Sequence, residues 1–251
     1  VKVGYDGIVI ANSNTAEKFS LNTMDIYLAL AKDIPNPDGS ETFIKNPNET
    51  WKDVNSELPA IKIEVLGPPP TSGTRDAFSE LALEKGGCKK IKWIKALKKK
   101  NKTEYKSKCH TTREDGHFIE AGENDNLMVQ KLVSNPKSLA IFGFSFLDQN
   151  SDKVQGSIIN GIEPSFDNIA DGKYAISRPL FFYIKNAHVG VIPGMQEYVE
   201  EFLSDSASGD DGYLGEKGLI SMPAEERAEL NPKVLNLTLI VGDQSPSKTK
   251  K

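Results

Sequence analysis

Ser72, Gly73, Thr74 and Arg75 are the residues of this sequence best suited by type and spacing to do chemistry. They stand in "GPPPTSGTRDAFSELALEKGG", Gly67 to Gly87. With Thr71 or Ser72 as N-cap, the apolar positions Ala77, Phe78, Leu81 and Ala82 follow helical spacing, and Gly86 and Gly87 supply the stop. A helix start carries up to four unpaired N–H donors and roughly half a positive charge. Gly73 and Thr74 leave those donors unshielded. The hydroxyls of Ser72 and Thr74 and the guanidinium of Arg75 add to them, and the set suits a tetrahedral oxyanion. The chain holds only four arginines, Arg75, Arg113, Arg178 and Arg227. The planar fork of arginine is not replaceable by lysine at an oxyanion, so Arg75 and Arg113 are the candidate ligands, with Arg178 weaker. The competing reading is a plain helix cap with surface ion pairs to Asp76 or Glu114.

Other chemistries find less support. No GxxxxGK[ST] phosphate loop is present, which argues against a nucleoside triphosphatase. No GxSxG elbow surrounds Ser72, which argues against a hydrolase nucleophile. His110, His117 and His188 lack ligand spacing, so neither a metal nor another cofactor is expected.

Alternating helical and strand patterns place these residues in an α/β protein. "YDGIVIANS" and "AIKIEVLG" read as strands and "LNTMDIYLALAK" as a helix, with a Pro/Asn/Gly-rich loop between them, "DIPNPDGSETFIKNPNETWKDV". The second strand, the proline turn and the capped helix form a βα unit, and ligands of α/β proteins bind at such strand ends. Farther on, "ENDNLMVQKLVSN" reads as a helix, and "SLAIFGFSFL", "QGSIINGIEP" and "RPLFFYIKN" as strands. "PGMQEYVEEFLSD" reads as an amphipathic helix. The polar end, "GDQSPSKTKK", is expected to fray.

The net charge of −4 conceals an asymmetry. Ten lysines and one acid, Glu104, lie between Cys88 and Cys109, about +9, so the remainder carries about −13. The basic run contains no arginine and only Trp93 and Tyr105 as aromatics, which disfavours nucleic acid and favours a solvated helix. Two cysteines at loop-like spacing permit one disulfide, Cys88–Cys109, which would add roughly 3 kcal/mol and imply an oxidising compartment. Two free thiols are the alternative. No apolar run approaches the ~18 residues that span a bilayer, and "VKVGYDGIVIA" reads as a strand, not a signal peptide.

"PPPTSGTRDAF", "GENDNLMVQKLVSNPKSLAIFGFSFL" and "DGKYAISRPLFFYIK" together resemble the phosphate-binding proteins of bacterial phosphate ABC importers, the PstS type. "YDGIVIANS", "TWKDV" and "DGYLGEKGLISMP" extend the likeness over nearly the whole chain. The resemblance implies a two-lobed α/β periplasmic binding protein of the second type, with two strands crossing between lobes and phosphate held in the cleft. It implies lobe boundaries here: residues 1–11 an interlobe strand and remnant of lobe I, 12–177 lobe II, 178–251 the return strand and the C-terminal part of lobe I. Ser72, Gly73 and Thr74 correspond to the family's phosphate loop. The family's arginine ahead of that loop is replaced by Pro68 to Pro70, for which Arg75 or Arg113 would substitute. Family members begin with a further strand and loop, so the resemblance implies that part of lobe I is missing at the N-terminus. The carboxylate that accepts the phosphate proton has no match, and Asp76 and Asp115 are local stand-ins. The implied protein is a monomeric, periplasmic, non-enzymatic receptor whose partners are phosphate and a membrane permease, not nucleic acid. A phosphomonoester hydrolase with Ser72 as nucleophile, or a sensing or adhesion module, are the alternatives.

Overall fold

The computed structural model describes residues 1–122 and 124–236; the polar "GDQSPSKTKK" end lies outside them. The chain divides into two compact units, Asp6–Arg178 and a smaller one made of Val1–Tyr5 with the residues from Pro179 onward.

The larger unit is built on β1 (Lys2–Ser13) from Asp6 onward, where consecutive Ile8, Val9, Ile10 and Ala11 are all fully buried. An unbroken apolar run marks a strand covered on both faces, which is why it does not alternate. Next come β2 (Ser20–Leu21) and α1 (Thr23–Leu30), capped by Asn22 and Asp25 in a reciprocal box. The segment expected to be loop folds into a small hairpin, β3 (Asp33–Pro35) with β4 (Phe43–Lys45), and a single helical turn, α2 (Trp51–Val54). Side chains rather than apolar pattern shape it. Asn36, Asp38 and Ser40 bond one another across the hairpin turn, and buried Asn46 donates to the carbonyls of Leu28 and Ala31 at the end of α1.

Then follow β5 (Val65–Gly67) and α3 (Gly73–Phe78), which continues as a π-helix over Ser79–Lys85. Gly87 is glycine because of packing: a Cβ there would lie 2.1 Å from the Tyr27 ring. The lysine run forms two helices, α4 (Lys92–Lys100) and α5 (Lys102–His110), separated at Asn101, whose side chain caps the second. β6 (Phe118–Glu120), α6 (Asp125–Ser134) and β7 (Leu139–Gly143) complete the core. Only the first half of "SLAIFGFSFL" is strand. From Phe144 it turns into α7 (Phe144–Gln149). "QGSIINGIEP" supplies two short strands, β8 (Val154–Gly156) and β9 (Ile158–Ile159), and α8 (Phe166–Ala170) precedes β10 (Ser177–Phe181).

The main sheet runs β10-β1-β7-β5-β6, with β8 also on β1. β6, β5 and β7 are parallel, and β1 is antiparallel to β7 with Ile8 opposite Gly143. The C-terminal ends of β6, β5 and β7 therefore lie on one side of the sheet, level with the middle of β1 near Ile8.

In the smaller unit α9 (Met195–Leu203) buries Val199 and Leu203, while Phe182 meets Tyr198 and Phe202 edge-on at 6.2 and 5.3 Å. Lys2 and Tyr5 both bond Glu226, and Arg227 is buried against the Met222 carbonyl and Asp210.

Cys88 and Cys109 form a disulfide across 21 residues, both fully buried. Loop closure of this length is worth about 3 kcal/mol. The carboxylate of Glu84, 7% exposed, is bonded by residues next to both cysteines and in the helices between them: Lys98 at 2.8 Å, Lys89 at 3.0 Å, His110 at 2.6 Å and the Tyr105 hydroxyl at 3.2 Å. Burial opposes its charge, but the bonds from Lys98, Lys89 and His110 prevail and hold its pKa at about 2, below the ordinary 4.5. A depressed carboxylate pKa contributes stability above the unfolded value and loses it as pH falls toward the folded one. Urea unfolding should therefore show stability falling between pH about 4.5 and about 2, and Glu84→Gln should lack this component while being less stable at neutral pH.

Candidate functional site

The start of α3 lies at these strand ends, just beyond the end of β5. Ser72 is the N-cap, with φ −82° and ψ 132°, and its hydroxyl accepts from the Thr74 amide at 3.2 Å. The Asp76 amide is bonded to the Ser72 carbonyl, and the Ser72 amide to Pro69, which closes the proline turn. The amides of Gly73 and Arg75 find no acceptor among the described residues. Gly73 is exposed, and the space where its side chain would stand is open to at least 4 Å. Two donors of the helix start are thus left without a partner, and at Gly73 the space beside them is open.

Arg75 is held beside this start by four groups. It donates to the Pro68 carbonyl at 2.8 Å and to the Thr112 hydroxyl, lies 3.8 Å from the Glu120 carboxylate, and stacks 4.2 Å over the Phe118 ring. Its side chain is only 12% exposed. Burial lowers its pKa, and the charges of Glu120, Asp76 and Glu114 act against that shift. The stack depends on Gly67, since a Cβ there would lie 2.2 Å from the Phe118 ring. The prolines have a local purpose too: Pro68 supplies the carbonyl that orients the guanidinium.

Arg113, the other arginine candidate, lies in a different setting. It is 3% exposed and its guanidinium is engaged: bidentate to Asp115 at 2.8 Å twice, and to the carbonyls of Ala29 at 3.1 Å and Asn48 at 2.6 Å. It braces α1 to the loop before α2. Asp115 is consumed by the same pair; the Arg113 bond keeps its carboxyl below the ordinary range against the opposing effect of burial. Asp76 is exposed in the first turn of α3.

Arg178 pairs with Asp6, both its Nε and Nη2 lying 3.3 Å from Oδ2. Burial raises the Asp6 pKa, and Arg178 opposes the rise. The other oxygen, Oδ1, faces Gly143, 4.0 Å from where a Cβ would stand, and the Ser145 hydroxyl lies on the same side of that glycine. Asp6 and Ser145 were not singled out from sequence. The signal for Asp6 was an acid inside an otherwise apolar strand, "YDGIVI". Among the described residues no group of three or more His, Cys, Asp and Glu is placed to hold a metal ion.

An α/β sheet with an open helix start at its strand ends defines a class of ligand-binding fold, and the sequence places the chain in it. Residues 1–206 match the PBP superfamily domain, and the chain belongs to that family. Its fold is the mixed α/β fold of periplasmic phosphate-binding proteins of the second type.

Among curated proteins, the chain is 29% identical over 224 residues to the phosphate-binding protein PstS of Staphylococcus epidermidis, covering 85% of this chain and 55% of that one. The chain spans about half the length of the curated relatives it matches. Among solved structures it is similar to a protein of Planctomyces limnophilus described as a possible phosphate binding protein, with TM-score 0.66 and 22% identity, over 95% of this chain and 72% of that one. An ABC-type phosphate transport receptor from Vibrio cholerae aligns with TM-score 0.56 and 19% identity, over 89% and 72%. At these identities the structures speak for the fold alone.

Two glycine substitutions separate packing from open space. Gly67→Ala should displace the Phe118 ring and the Arg75 stack and destabilise by about 1–3 kcal/mol in urea unfolding. Gly73→Ala, whose methyl group meets nothing, should stay within about 0.5 kcal/mol of the parent.

Proposed function

We propose that this chain captures inorganic phosphate at the start of α3 as part of an extracytoplasmic substrate-binding protein that supplies an ABC importer. The observation that carries the reading is the pair of amides at Gly73 and Arg75 that find no acceptor among the described residues, with open space at Gly73 and a guanidinium that is already oriented. Phosphate placed there would accept from both amides, the hydroxyls of Ser72 and Thr74, and the Arg75 side chain. Bonds to a charged acceptor are worth about 1.5–3 kcal/mol each. The relatives, a phosphate-binding protein and a phosphate transport receptor, support the same ligand and a permease partner. The buried disulfide fits an oxidising, extracytoplasmic compartment. No helix among the described residues is long and apolar enough to cross a membrane.

Arg113 stands outside the ligand set and acts as a brace. Asp115, occupied by the same bonds, is a weaker candidate for proton acceptor. Asp6 and Asp76 are the other carboxylates for that purpose, and Asp6 has the stronger claim because it lies on the same side of the sheet as Ser72 and keeps Oδ1 clear of Arg178.

Isothermal titration with phosphate tests the reading. Saturable one-to-one binding without turnover is expected, and Ser72→Ala combined with Arg75→Ala should weaken it at least about 100-fold, the loss of two charge-assisted bonds. Release of phosphate from an aryl phosphate would favour the hydrolase instead, and undiminished affinity in the double variant would remove this site.

A further inference from the structure

Most of the lysine-rich hairpin's charge is not used inside the molecule. Lys89 and Lys98 are bound to Glu84, Lys108 to Asp33 at 3.0 Å, and Lys90 to the Thr23 hydroxyl at 2.7 Å. Lys92, Lys95, Lys99, Lys100, Lys102 and Lys106 are exposed and take part in no ion pair among the described residues. Lys92, Lys95 and Lys99 recur at helical spacing and form a stripe on α4 opposite its buried Ile94. Lys102 and Lys106 stand one turn apart on α5, and the one acid of either helix, Glu104, is bonded to Asn101. Like charges a helical turn apart destabilise a helix by a few tenths of a kcal/mol per pair. The segment is held together nonetheless by the disulfide beneath it and by the buried carboxylate of Glu84, in a chain whose remaining residues carry about −13.

We infer that this hairpin face is an adsorption surface for an anionic phospholipid bilayer. Its chemistry fits a broad, diffuse negative surface. Lysines are mobile point charges without the bidentate fork of arginine, which suits headgroups that need no fixed geometry. The aromatics that could stack on bases are occupied: Trp93 meets Phe43 edge-on at 4.8 Å and Tyr105 is fully buried. Neither is free to insert into lipid, so the contact is electrostatic and superficial. Each lysine near an anionic bilayer contributes about 1 kcal/mol, and the contribution is screened by salt. The surface would hold a phosphate receptor close to the plane in which an importer sits, but the contact itself does not depend on phosphate.

Co-sedimentation with vesicles tests it. The protein should bind vesicles of phosphatidylcholine mixed with phosphatidylglycerol, not phosphatidylcholine alone, and release in high salt. Lys92→Gln, Lys95→Gln and Lys99→Gln together should weaken binding about 100-fold, at about 1 kcal/mol each. Lys52→Gln, Lys62→Gln and Lys137→Gln, an equal charge change at exposed lysines outside the hairpin, should leave it within a few-fold. Circular dichroism checks that both triple variants stay folded, and neither should alter phosphate titration. Absence of binding, equal binding to neutral vesicles, an equal loss in the two triple variants, or tighter binding to a single-stranded oligonucleotide than to the anionic vesicles would each overturn the proposal.

Discussion

A helix cannot satisfy the first amides of its own backbone, and the site depends on how this constraint is met at Gly73 and Arg75. Ser72 satisfies one donor, Thr74, and its carbonyl takes up the Asp76 amide. The two left over find no acceptor among the described residues, and the space at Gly73 is open. Bulky residues, a longer loop or a second capping side chain would have covered them. The sequence has a glycine and small hydroxyls there instead, behind a proline turn that stops the chain from folding back.

The rest of the larger unit aims and steadies that helix start. The parallel strands β6, β5 and β7 end on the same edge, so the turn after Gly67 emerges between neighbours that also end there. Gly67 lets Phe118 approach, Phe118 supports Arg75, and the Pro68 carbonyl fixes the guanidinium. These contacts are already made in the protein alone, which would lower the ordering cost of binding in the proposed site. Arg113 contributes indirectly, by tying α1 to the loop before α2 and by immobilising the residue after Thr112, itself a partner of Arg75.

The parts of this account that were legible in sequence are local ones. The Ser72 cap and the helix behind it follow from neighbouring residue types, and the two-cysteine spacing allowed the disulfide. The bracing contacts of Arg113 were not legible, because its partners at Ala29 and Asn48 are 84 and 65 residues away and nothing in "TTREDG" signals them. "SLAIFGFSFL" is apolar throughout, so pattern alone could not show where strand gives way to helix. The hairpin at Asp33–Lys45 is held by Asn, Asp and Ser side chains in a segment whose composition signals only loop. Asp6 escaped notice because its importance comes from strand order, which brings it beside Arg178 and Gly143.

The central claim is that phosphate is bound by the uncovered amides at the start of α3. Amide nuclear magnetic resonance during a phosphate titration tests this most directly. The account predicts large, saturable downfield shifts of the Gly73 and Arg75 protons. Phosphate binding that leaves both resonances unmoved would contradict it.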